Sequence, residues 1–149
     1  MNPFDIKAAL FAKHAQHVVL IHFPIALCLT GVLFDVAATW LKRKDLAMVA
    51  FWNLTLAALA AVPAAITGVL AWQFELEGRH LKGILLMHLL AASASVVLIW
   101  AVWYSHLRQH RQSDDAPAPS YRWALEALGV LAITLTGYLG GILSGVNHG

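Results

Sequence analysis

Apolar and polar positions along this chain fall into long blocks rather than alternating. Four stretches, 18–41, 46–72, 83–104 and 123–145, are almost wholly apolar: the second and third hold no Asp, Glu, Lys or Arg, the first holds only Asp35 and the fourth only Glu126. A helix needs about 20 apolar residues to cross a bilayer core, so each block predicts one span. Short polar connections between consecutive blocks make neighbouring spans antiparallel. The expectation is an all-α fold, an integral membrane four-helix up-down-up-down bundle filling 1–149 as one transmembrane domain. Ahead of it, Phe4, Ala8 and Phe11 suggest a short interfacial segment over 4–16. Its apolar part is too short for a cleavable signal peptide.

Composition agrees with a bilayer as the first partner. Only 12% of the residues are charged, against about 25% in soluble domains. The net charge of +2 comes without any basic run interleaved with aromatics, which excludes nucleic acid as a partner. The single cysteine, Cys28, permits no internal disulfide and no CxxCH haem attachment, and its place in an apolar run predicts a small buried hydrophobe. Lys42, Arg43, Lys44, Arg108, Arg111 and Arg122 flank the first and third connections; Lys7, Lys13, Arg79 and Lys82 lie on the other side. The positive-inside rule then puts both termini outside the cytoplasm. Six tryptophans near span ends fit an aromatic belt. Two stripes of small residues, Ala57–Ala61–Ala65 and Gly137–Gly141–Gly145, suit close packing of helices within the chain or in a homo-oligomer. Pro24 and Pro63 lie inside spans and each removes a backbone hydrogen bond.

The histidines are the candidate chemistry. Of eight, His106 and His110 follow the third block and, beside Arg108 and Arg111, read as a solvated basic connection. The other six, His14, His17, His22, His80, His88 and His148, converge on the opposite face once spans are counted. At about 1.5 Å per residue, His22 lies roughly 7.5 Å deeper than His17, and His88 roughly 12 Å deeper than His80. His22 and His88 therefore share a depth on two different helices. At about 100° per residue, His17 and His22 point roughly 140° apart, too far to serve one small site on a regular helix. An ionisable side chain within the bilayer is a functional candidate, and three uses compete. Two imidazoles on facing helices could hold a b-type haem, with Ala26, Gly31, Ala91 and Ala92 as small neighbours. A copper or zinc ion would draw on His22, His88, His17 and His148. Alternatively the rings simply bond backbone carbonyls. Asp35 is expected to meet Asn53 or Thr55 of the second span or to take part in proton uptake, and Glu126 to reach interfacial water.

The run HVVLIHFPIAL, the TGVLAW at Thr67–Trp72, His88 at the head of the third span and the closing GYLGGILSGVNHG together resemble a bacterial membrane family, domain of unknown function 2231. The resemblance covers His14 to Gly149. It implies a four-span bacterial membrane protein with a histidine pattern suited to b-type haem; with the positive-inside count, the expected place is the bacterial inner (cytoplasmic) membrane with both termini periplasmic. It also implies iron–sulfur or cytochrome partners near the quinone pool. Carried across, the family pattern falls on His17, His22, Asp35, Gly68, His88, Gly140, Gly141 and His148. Val18 stands where members commonly have proline, and Ile142 where they commonly have an acid. The combined expectation is an electron carrier rather than a stand-alone enzyme. His22 and His88 ligate one haem b, and a second, outer haem would draw on His17 with His80 or His148. Electrons pass between quinone and a periplasmic or membrane redox protein. A histidine-cluster metal protein and a non-catalytic subunit of a larger membrane complex are the alternatives.

Overall fold

A computed structural model describes residues 13–75, 80–112 and 119–145. Among these described residues there are four helices: α1 (Lys13–Leu41), α2 (Lys44–Glu75), α3 (Gly83–Gln112) and α4 (Tyr121–Leu143). All four are long and apolar enough to cross a membrane. The fold is therefore the all-α membrane bundle that the charge-free blocks predict. The proposed interfacial segment up to residue 12, His148 and the DDAPAPS linker up to residue 118 fall outside the described residues.

Local chemistry sets the helix ends. After α1, Lys42 takes a left-handed conformation (φ 52°) and the Arg43 N–H reaches back 3.0 Å to the Ala38 carbonyl, closing the helix in a two-residue turn. Arg43 pairs with Asp45, which lies in the first turn of α2, where a negative charge suits the helix dipole. Gly145, at φ 78°, ends α4 with its N–H on the Ile142 carbonyl. One boundary differs from expectation. The third helix runs two turns beyond Tyr104, so His106 lies on a helical face and is buried rather than in a solvated connection.

Packing divides the bundle into two hairpins. α1 lies mainly along α2 and α3 along α4; α2 borders α3, while α1 and α4 barely touch. The core is built from Cys28, Leu54, Ala57, Ala58, Ala61, Ile99, Val102 and Ile133. Its alanines let helices approach closely, the dominant way to gain packing energy where the solvent is itself apolar. Large side chains such as Leu33, Val97 and Leu131 point away from the protein, as lipid contact requires. The stripes contribute less than their spacing suggests. Ala65 and Gly137 are exposed, and a side chain at Gly137 or Gly145 would meet open space. The close approaches are elsewhere: a Cβ on Gly31 would lie 2.8 Å from Leu54 Cγ. Gly31→Ala should destabilise the protein by about 1–3 kcal/mol through overpacking, read as a lower thermal unfolding midpoint in detergent.

The hairpins repeat each other. The interval from His17 to His88 also separates Pro24 from Ser95, Cys28 from Ile99, Gly31 from Val102 and Asp35 from His106, and each of these last four pairs is buried in both members. Between α2 and α4 a single interval relates Ala50 to Arg122, Leu54 to Glu126, Ala57 to Gly129, Ala61 to Ile133 and Gly68 to Gly140, again with matching burial. Both hairpins enter the membrane from the same side. They are thus parallel repeats in sequence and burial, although their packing is not symmetric: α2 borders α3 while α1 and α4 barely touch. One end of this bundle carries His17 and His88, the other Asp35 and His106.

Candidate functional site

At the histidine end each hairpin holds one imidazole in the same manner. The His17 Nδ1 is 3.2 Å from Thr67 Oγ1 on α2. That hydroxyl also lies 2.9 and 3.0 Å from the Pro63 and Ala64 carbonyls of its own helix. Its neighbour Gly68 faces the ring so closely that a Cβ there would lie 2.9 Å from His17 Cε1. On the second hairpin His88 Nδ1–H donates to the Thr136 carbonyl at 3.2 Å, and a Cβ on Gly140 would lie 3.2 Å from His88 Cε1. The Ser95 and Thr136 hydroxyls meet at 2.9 Å beneath it. A carbonyl can only accept, so the His88 ring carries hydrogen on Nδ1, which in the neutral imidazole puts the lone pair on Nε2, the usual arrangement of a histidine prepared to ligate a metal.

His22 departs from expectation. It is exposed, with Nδ1 bonded at 2.6 Å to the Val18 carbonyl of its own helix. The cause is angular. With His17 turned onto Gly68, a residue roughly 140° round the helix faces elsewhere, whatever its depth. His80 is exposed just ahead of α3, and the described residues do not include His148. The four-histidine metal cluster is therefore not assembled from the described residues; His17 and His88 are the two whose rings are set against a partner helix.

The other end holds a buried charged cluster. His106 Nε2–H donates to Glu126 Oε1 at 2.8 Å, with both side chains almost fully enclosed (6% and 2% exposed). Arg122 lies between the acids, with Nη2 2.8 Å from Asp35 Oδ2 and Nε 3.7 Å from Glu126 Oε1. Its Nη1 donates to Gln109. The contact with Asp35 has the distance of an ion pair but not hydrogen-bond alignment, so Asp35 Oδ2, Arg122 Nε and Glu126 Oε2 are buried without a hydrogen-bond partner. A cavity of about 150 Å³ runs from exposed Lys44 and His110 to Asp35, His106 and Arg122.

Two expectations are corrected here. Asp35 does not pair with Asn53 or Thr55: Thr30 donates to Asn53, Trp103 Nε1 donates to Thr55, and Asp35 meets Arg122 across the bundle. A carboxylate in apolar surroundings gains far more from a guanidinium than from an amide. Glu126 does not reach interfacial water, because α4 starts at Tyr121 and the second turn already faces inward. Arg122 and His106 escaped sequence reasoning. Their signals were the one-turn spacing of Arg122 and Glu126 at the head of an apolar block, and the His17–His88 interval recurring between Asp35 and His106.

Asp35, His106 and Glu126 present ligand atoms within 4.8 Å of one another, a spacing that a cation could use. Arg122 argues against one. With both acids ionised and the imidazole neutral, the cluster has a net charge of −1, and a divalent ion would overshoot it.

Residues 13–148 match the family described as "Predicted membrane protein (DUF2231)". No curated protein and no solved structure gave a match.

Proposed function

Because the chain belongs to the DUF2231 family of predicted membrane proteins, we propose that it is a membrane electron carrier of the inner membrane in which His17 and His88 hold one b-type haem. The reading rests on one observation: two imidazoles at equivalent positions of two parallel hairpins, each with Nδ1 engaged and each seated on a glycine. The donor set fits. Two imidazoles suit a low-spin iron, and Gly68 and Gly140 leave the rings the room a side chain would take. When bound, a bis-imidazole haem passes single electrons and offers no open position for substrate.

The chain's own contribution is to orient. Thr67 and the Thr136 carbonyl set the direction of each ring. Electrons would pass between membrane quinol and a redox protein on the outer face, which is the histidine end by the positive-inside assignment.

Protein purified without an affinity tag should give a dithionite-dependent cytochrome b spectrum, with iron porphyrin near one per chain. A colourless preparation, or one containing copper or zinc without iron porphyrin, would contradict the proposal. Gly68→Ala should lower haem occupancy, because the new methyl forces the His17 ring away at a strain of about 1–3 kcal/mol. The outward-facing Gly137→Ala should leave occupancy unchanged.

A further inference from the structure

At the end of the bundle remote from His17 and His88, the charged cluster lacks one positive charge. Asp35 and Glu126 are acceptors only when ionised, and the single fixed cation among them is Arg122. The cluster is enclosed, so a residual charge is strongly disfavoured. One proton makes it neutral. It also permits a hydrogen bond between the Asp35 and Glu126 carboxyl groups, which lie within reach of each other but cannot bond as two carboxylates.

We propose that Asp35, Glu126 and His106 form a proton-binding site that takes up one proton per chain and exchanges it with the aqueous phase through the adjoining cavity. The geometry supplies both destination and route. Glu126 Oε2 is buried without a hydrogen-bond donor, and Asp35 Oδ2 has only the misaligned guanidinium of Arg122 beside it. The 150 Å³ cavity has room for about five waters at their share of liquid volume. Its exposed mouth is formed by Lys44 of α2 and His110 of α3, and its inner wall by Asp35 of α1, His106 and Gln109 of α3 and Arg122 of α4. With Glu126, these are the charged and titratable groups facing the site from all four helices. The acids belong to different hairpins, so the shared proton bridges the two repeats. The site stands independently of the haem reading.

Infrared difference spectroscopy of the purified protein in lipid nanodiscs, between acidic and alkaline buffer, tests this without reference to haem. The wild type should show one protonated-carboxyl C=O band that is lost at alkaline pH. Asp35→Asn and Glu126→Gln should each abolish it, because either leaves one carboxylate balanced by Arg122. Circular dichroism identifies which variants retain native helicity, and one that does is sufficient. Ala47→Trp, at an exposed position lining the cavity, should slow deuterium exchange of the band at least tenfold. Absence of a titrating carboxyl band in the wild type, or its survival in either well-folded variant, would overturn the site. An unchanged exchange rate in Ala47→Trp would overturn the route.

Discussion

His88→Ala protein should purify without a cytochrome b spectrum, His17→Ala likewise, and His22→Ala should keep the wild-type haem content. The reasoning is geometric. A haem iron with two imidazole ligands loses most of its affinity when one is removed, and here each of the two rings is positioned by a different hairpin. His17 is set by Thr67 and Gly68, His88 by Thr136 and Gly140. His22 has equal chemical ability but points away from the partner helix, with its Nδ1 spent on its own backbone. The spectrum of each variant, normalised to protein, checks this. Gln at either position would preserve bulk and polarity while lacking the aromatic nitrogen donor, so loss of haem in His17→Gln would reflect ligation rather than packing.

The second large effect lies in the charged cluster. Arg122→Met should destabilise the protein by about 3–5 kcal/mol, the usual result of leaving buried charge without its partner. Asp35 and Glu126 would then face each other with only His106 nearby. The triple variant Arg122→Met, Asp35→Asn, Glu126→Gln removes every fixed charge from the cluster and should recover most of that loss, since a buried ion network is often no more stable than a neutral one of similar shape. Thermal or denaturant unfolding in a single detergent compares the three proteins. Equal stabilities throughout would mean that water reaches the cluster freely and that it is not a buried site.

The fold was legible because bilayer physics writes itself in blocks. Four charge-poor stretches of the right length leave little freedom, and the turn at Lys42–Arg43 is already marked by its basic residues. The end of α3 was misplaced because Ser105 to Gln112 is polar enough to resemble a connection, although its buried side chains, Ser105 and His106, follow helical spacing from Val102. Depth could be read along each helix from the rise per residue, which is how His22 came to be matched with His88. Facing could not, because it depends on which side of α1 receives α2. With Gly68 abutting His17, the angular separation turns His22 to another side of α1. The charged cluster was hidden for another reason: its members come from α1, α3 and α4, and only the repeat between hairpins brings Asp35 and His106 to one level. That repeat is carried by burial and by a few residues such as His17/His88 and Gly68/Gly140, while most side chains differ between the halves.

Ligand exchange at His17 and His88 probes the iron's own coordination. Redox titration should compare wild type with His17→Met and His88→Met, because replacing one imidazole of a bis-histidine haem with a thioether raises the midpoint potential. The account predicts that each methionine variant either shifts the potential upward with an altered low-spin spectrum or loses haem outright. A haem retained in both variants with the wild-type potential and spectrum would show that neither histidine touches the iron.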